Sequence, residues 1–118
     1  MYEYKAKLLK VIDGDTIDVM IDLGFDTWIK TRLRLYGINT PESRTRDKAE
    51  KELGLKAKRT VKEYLSEDLI LIVKEKGKYG RYLAEVYPIN KKMSINDYLL
   101  KLGLAEPYYG GKRQSYVQ

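Results

Sequence analysis

The stretch Val11-Ile12-Asp13-Gly14-Asp15-Thr16-Ile17 constrains this chain more than any other. Asp-Gly between apolar alternating runs is a strong hairpin signal, because both residue types tolerate the backbone of a tight turn. Past the turn, Ile17, Val19, Ile21 and Leu23 alternate with Asp18, Met20 and Asp22, the period of a strand with one buried face. Side chains two apart share a face, so Asp15 falls in line with the apolar residues. A carboxylate on the inner face at the mouth of a sheet needs a cation or hydrogen-bond donors to neutralise it. Asp15 is therefore a candidate cation ligand, and the question for the rest of the chain is which groups converge on it.

Upstream of the turn, Tyr4, Ala6 and Leu8 alternate with Lys5 and Lys7, which predicts a strand over residues 2–12. The adjoining pair Leu8-Leu9 predicts a bulge in it. Gly24 opens a second turn. The third strand runs over residues 27–36, with Ile29, Thr31, Leu33 and Leu35 on one face and Lys30, Arg32 and Arg34 on the other. Lys30 and Arg32 read as a solvated outer surface. Gly37 ends the strand, and the loop Ile38 to Glu42 follows, in which Pro41 holds Thr40 extended.

A helix is predicted over residues 47–65. Asp47 and Glu50 have capping-box spacing, and Ala49, Leu53, Ala57, Val61, Tyr64 and Leu65 form an apolar stripe that Gly54 weakens. The continuous apolar run 69–73 reads as a buried strand, 74–80 as a basic turn, and 81–87 as a fifth strand ended by Pro88. Ser94 caps a last helix with the stripe Ile95, Tyr98, Leu99 and Leu102, and Gly103 stops it. Residues 110–118 form an irregular tail, with no repeat or linker, so residues 1–118 read as one domain. Three strands, a helix, two strands and a helix predict a mainly β, α+β fold. It is a five-stranded OB-type barrel with a helix between strands three and four and a C-terminal helix.

Composition narrows the chemistry. The chain has no Cys and no His, which excludes thiol catalysis, Ser-His catalysis and zinc sites built on those residues. What remains is carboxylates, Lys, Arg, Tyr, hydroxyls and a hard, oxygen-loving cation. A formal charge of +6 attracts polyanions, chiefly nucleic acid. Eleven tyrosines against one Phe suit half-buried rings with a polar tip, packed at a rim or stacked on bases. No apolar run is long enough to span a membrane, and no apolar leader follows Met1. The expectation is a monomer with no membrane partner, either cytoplasmic or the mature form of an exported protein.

Besides Asp15 and Thr16, three other stretches fall at strand ends: Arg34; Asn39, Thr40 and Glu42; and Lys78, Tyr79 and Arg81. In a small barrel such ends can gather at one rim. Together they hold the equipment for hydrolysing a phosphodiester. Arg34 and Arg81 can clamp the charge that builds on phosphate oxygens. Glu42 can orient or deprotonate the attacking water, and a Ca²⁺ ion can hold the phosphate.

These blocks in this order resemble the staphylococcal (micrococcal) nuclease family. The likeness runs from Lys5 to Tyr109 through Asp13-Gly14-Asp15-Thr16, Arg34-Leu35, Thr40-Pro41-Glu42 and Lys78-Tyr79-Gly80-Arg81. Gly103-Leu104-Ala105 and Tyr109 extend it. The resemblance implies an OB-type barrel that cleaves DNA, RNA or both with one Ca²⁺, endonucleolytically, leaving 3′-phosphate and 5′-hydroxyl ends. By position it makes Asp15 and the Thr40 carbonyl calcium ligands, Glu42 the general base, and Arg34 and Arg81 the contacts to the scissile phosphate. Lys78, Tyr79 and Tyr109 belong to its nucleotide-binding rim.

The chain departs from the pattern in four ways. Asn39 stands where the family has a second calcium-binding aspartate, which predicts weaker calcium binding or a changed metal preference. The loop after Glu42 is short. The family's longer C-terminal region lies beyond Gln118. A second base-stacking Tyr is replaced by Gly111, with Tyr108 and Tyr116 as the candidates to substitute. The alternative is a nucleic-acid-binding module without cleavage. Retention of Arg34, Glu42 and Arg81 together speaks for the enzyme, and Asn39 for the module. A structural subunit ranks behind both.

Overall fold

The alternation on either side of Gly14 becomes a long antiparallel pair in the computed structural model, which describes residues 2–76 and 81–109. Strand β1 (Tyr2–Asp13) pairs with β2 (Thr16–Asp22), and β2 with β3 (Trp28–Leu35). Then follow β4 (Ile38–Asn39), α1 (Lys48–Tyr64), β5 (Asp68–Lys76), β6 (Tyr82–Pro88), α2 (Ile95–Lys101) and β7 (Glu106–Pro107). β5 pairs with β1 and β6, and β6 runs parallel to β3, so the five long strands close a barrel in the order β1-β2-β3-β6-β5. This is the expected OB-type barrel, with α1 between its third and fourth strands. β4 and β7 form a separate two-stranded sheet that the sequence did not suggest. Two residues per strand leave no period to detect. No helix among the described residues is long and apolar enough to cross a membrane.

The barrel interior is the apolar face of the strands: Ile17, Val19, Leu33, Leu69, Leu71 and Val86 are essentially inaccessible to solvent. Val61 from α1 and Ile95 and Leu99 from α2 cap it. The predicted bulge lies between Leu8 and Lys10, and a second irregularity sits between Val11 and Asp13, next to the first turn. Leu23 and Ile29 depart from expectation, being 43% and 40% exposed. The β2–β3 hairpin outruns the core there, and every residue from 23 to 30 is exposed.

The face of α1 is also rotated from the predicted stripe. Ala49 and Leu53 are exposed, whereas Gly54, Ala57 and Val61 are buried. The reason is the proximity of the segment after β4. A Cβ on Gly54 would lie 2.5 Å from the carbonyl carbon and oxygen of Glu42 and 2.6 Å from the Ser43 nitrogen. Only glycine admits that contact, so the residue that weakens the helix is the one that lets it dock.

The capping box is half closed. The Asp47 carboxylate accepts from the Ala49 and Glu50 N–H groups, but Glu50 Oε2 accepts from the Glu42 N–H at 3.2 Å. The Asp47 N–H donates instead to Thr45 Oγ1. α2 behaves as predicted: Ser94 Oγ accepts from the Asp97 N–H, and Gly103, at φ 72°, ends the helix. The Gly103 and Leu104 N–H groups donate back to the Leu100 and Leu99 carbonyls, a full Schellman motif.

Candidate active site

The first turn shows why an Asp-Gly-Asp run stands here. Asp13 pairs with Thr16, so Gly14 and Asp15 are the two loop residues. Gly14 does not take a left-handed backbone, so its lack of a side chain serves space and not φ. A Cβ on it would lie 2.8 Å from both Ala57 Cβ and Thr40 Oγ1. The turn is thus pressed between α1 and the segment after β4, which brings Asp15 beside Thr40.

The Asp15 carboxylate is neutralised by donors, as its inward position requires. Thr16 Oγ1 donates to it at 3.0 Å and the Thr40 N–H at 3.3 Å, with Arg34 Nη2 at 3.7 Å; its side chain is 15% exposed. Arg34 is held as closely. Its Nη2 donates to Asn39 Oδ1 at 2.9 Å and to the Ile38 carbonyl at 3.3 Å. A guanidinium only donates, so the amide oxygen of Asn39 is the atom that faces it. Its neighbour two residues back has a different role. Arg32 donates through Nε and Nη2 to both oxygens of Asp18 on the outer face, and these bonds hold the Asp18 carboxyl below its usual range. Arg32 is the surface charge the sequence predicted.

Asn39 and Thr40 are buried, and Glu42 is exposed at the edge of the loop. The backbone of Glu42 is fixed twice by α1, through Glu50 and through the contact with Gly54. Arg81 directly precedes β6, whose parallel pairing sets Leu83 opposite Arg34. Asp15, Arg34, Asn39, Thr40, Glu42 and Arg81 all line one open cleft of about 230 Å³, together with Asp13, Thr16 and Pro41.

Tyr109 is not part of that lining. The residue is 73% exposed, and its ring stands edge-on to Tyr36 at 5.6 Å and covers Gly37, whose φ is 77°. The Tyr108 ring lies against Arg34. Lys78, Tyr79, Gly111 and Tyr116 lie outside the described residues.

Four groups escaped the sequence reading. Asp13, read as a turn former, lines the cleft and accepts a hydrogen bond from the hydroxyl of buried Ser43. Glu50 and Gly54 hold the Glu42 segment, and Tyr108 faces Arg34. The spacing of Glu50 and Gly54, four apart on one helix face, is the one signal that could have linked the first pair.

The cleft's charge is three carboxylates, Asp13, Asp15 and Glu42, against two guanidinium groups. Among the described residues no three acidic side chains converge as a ready-made metal cage. The uncharged and charged oxygens of the lining residues, the Asp15 carboxylate, the Asn39 amide and the Thr40 carbonyl, are of the kind a hard cation such as Ca²⁺ takes, and Asn39 Oδ1 would share one such ion with the Arg34 Nη2 bond it already accepts.

Comparison with known proteins gives the same direction. The profile of the family described as Staphylococcal nuclease homologue matches residues 32–118. The Thermonuclease of Staphylococcus hyicus is 35% identical over 106 residues, covering 87% of this chain and 59% of the relative. The uncharacterized protein MJ1439 of Methanocaldococcus jannaschii is 34% identical over 128 residues, with 89% and 59% covered. An uncharacterized endonuclease of Escherichia coli O157:H7 is 27% identical over 104 residues, with 87% and 60% covered. The chain therefore spans about 60% of the length of these relatives. The profile starts inside β3, yet the first hairpin that precedes it lies in the same barrel and its Asp15 in the same cleft. On the strength of the profile match and the barrel, the chain belongs to the staphylococcal nuclease homologue family.

Proposed function

We propose that this cleft is the active site of a calcium-dependent nuclease that hydrolyses phosphodiester bonds of DNA, RNA or both. The observation that carries the reading is convergence: two arginines, a glutamate and three oxygen donors from separate stretches of sequence line one cleft. Support also comes from the similar proteins named a thermonuclease and an endonuclease. The substrate is a polyanion and the chain carries a formal +6.

Each residue has a role its surroundings suit. Arg34 and Arg81 bind the scissile phosphate and take up the charge that grows on its equatorial oxygens. Arg34 is oriented before substrate arrives, by Asn39, Ile38 and Asp15. Glu42 sits at the solvent edge of the cleft on a backbone that α1 immobilises, where its carboxylate can orient a water and accept its proton as the water attacks phosphorus. As the bond from the water oxygen to phosphorus forms, the P–O5′ bond breaks and the 5′ oxygen takes a proton from solvent, leaving 3′-phosphate and 5′-hydroxyl ends within a strand. Asp15, Asn39 and Thr40 are the residues that would hold Ca²⁺, which would supply positive charge to offset that of the phosphate. Lys78, Tyr79 and Tyr109 receive the flanking nucleotide.

A binding-only module is the second reading, and Asn39 is what favours it: an amide in place of a carboxylate lowers the charge of the cation site. Glu42→Gln separates the two. In the nuclease it lowers kcat by about 100-fold or more, while affinity for single-stranded DNA in a gel-shift titration stays close to wild type. Unchanged turnover in that variant removes Glu42 from the mechanism.

A further inference from the structure

Arg34 carries the charge that the proposed chemistry relies on, and its contacts come from an unexpected quarter. β4 and β7 form a two-stranded sheet beside the barrel. From β4 come Asn39 Oδ1 and the Ile38 carbonyl, both accepting from Arg34 Nη2. From the end of β7 comes Tyr108, whose ring centroid lies 5.3 Å from the guanidinium carbon. That is within the roughly 6 Å at which a ring face attracts a cation. The Tyr108 N–H donates to the Gly37 carbonyl at 2.8 Å, which extends the β4–β7 ladder and fixes the residue against the end of β3.

We infer that Tyr108 is a positioning residue for Arg34: the small sheet clamps the guanidinium by its edge through Asn39 and Ile38 and by its face through the Tyr108 ring. The consequence is geometric. Among the described residues both hydrogen bonds of Arg34 run through Nη2, which leaves the Nε and Nη1 donors of a side chain that lines the cleft, where a phosphate can take two of them. An arginine at a strand end loses much rotamer freedom when it binds; one already held between a ring and an amide loses less. Tyr108 and Tyr109 accordingly divide the work of one dipeptide. Tyr108 is half-buried against Arg34, and Tyr109 is 73% exposed against Tyr36. The Tyr108 ring that could stand in for a base-stacking partner is thus the one that lies against the arginine.

The inference rests on the reading of Arg34 as the phosphate contact, so the test carries two readouts. On single-stranded DNA with Ca²⁺, Tyr108→Leu should lower kcat about tenfold with KM little changed, the range a partly desolvated cation–ring contact supports. Tyr108→Phe, which keeps the ring, should restore most of that loss. In an Arg34→Ala background Tyr108→Leu should have no further effect, because its action passes through the arginine. Wild-type kcat in Tyr108→Leu, or an equal loss in the Arg34→Ala background, would overturn the clamp.

The second readout is NMR of the Arg34 side chain. The ring should shift its Cδ protons upfield, and the shift should vanish in Tyr108→Leu and persist in Tyr108→Phe. If the wild-type chain cleaves nothing, the nuclease reading falls and this spectrum alone judges the clamp: an unshifted Arg34 signal in the wild type rejects it.

Discussion

At one end of β2 stands Asp13-Gly14-Asp15-Thr16, and at the other Asp22-Leu23-Gly24-Phe25-Asp26-Thr27, two turns drawn from nearly the same residue types. The second is held by bonds among its own residues. Asp22 Oδ1 accepts from the Gly24 N–H, the Thr27 N–H donates to the Gly24 carbonyl, and the Leu23 N–H to the Thr27 carbonyl. Gly24, Phe25 and Asp26 all have positive φ, a Cβ on Gly24 would meet nothing within 4 Å, and Phe25 is fully exposed. The first turn is held by distant chain. Asp15 accepts from Thr40, Asp13 from Ser43, and Gly14 lies against Ala57. The lesson is that an acidic turn becomes a site when its carboxylates are held by residues far away in sequence. In the distal turn glycine serves the backbone angle, and in the cleft it serves close packing.

Three glycine substitutions sharpen or break that contrast. The largest effect belongs to Gly54→Ala, because the added methyl meets backbone of Glu42 and Ser43 and not a yielding side chain. Overpacking of this kind costs up to about 3 kcal/mol, offset by the roughly 1 kcal/mol alanine gains in a helix, for a net loss of about 2 kcal/mol. Cleavage should fall at least tenfold as the Glu42 segment shifts. A urea midpoint and a cleavage rate both at wild-type values would show that α1 does not set that segment.

Gly14→Ala comes next, at about 1.5 kcal/mol, since its neighbours are side-chain atoms that can give a little. It should reduce cleavage severalfold by parting Asp15 from Thr40. The smallest change is Gly24→Ala. The left-handed backbone costs about 1 kcal/mol, and cleavage per folded molecule stays at the wild-type rate. If Gly24→Ala harmed cleavage as much as Gly14→Ala at matched folded fraction, the two turns would not differ in the way described.

The parts legible in the sequence were those that local pattern dictates. The alternation of Ile17, Val19 and Ile21 fixed the face of β2, Ser94 and Gly103 bounded α2, and proline and glycine marked the loop between β3 and α1. The residues that line the cleft were legible as blocks because Asp15, Arg34, Asn39 and Arg81 stand at or beside strand ends, and a closed barrel gathers such ends. What stayed hidden depends on which chain segments lie against each other. Leu53 looked like core by its spacing and Gly54 like a flaw, until the contact with Glu42 reversed their meaning. β4 and β7 are too short for any periodic signal, so the link from Tyr108 to Arg34 through that sheet was invisible. Glu50, which spacing assigned to its own helix cap, turned instead to the Glu42 N–H.

The central claim is that the cleft works as a cation-assisted phosphodiesterase despite Asn39. The measurement that tests it most directly is the degradation of single-stranded DNA by the wild-type chain in excess Ca²⁺, beside a matched sample in chelator. The account predicts cleavage to fragments bearing 3′-phosphate ends in Ca²⁺ and intact DNA in chelator. DNA that is bound on a gel yet remains whole in Ca²⁺, Mg²⁺ and Mn²⁺ alike would contradict it and leave a module that only binds.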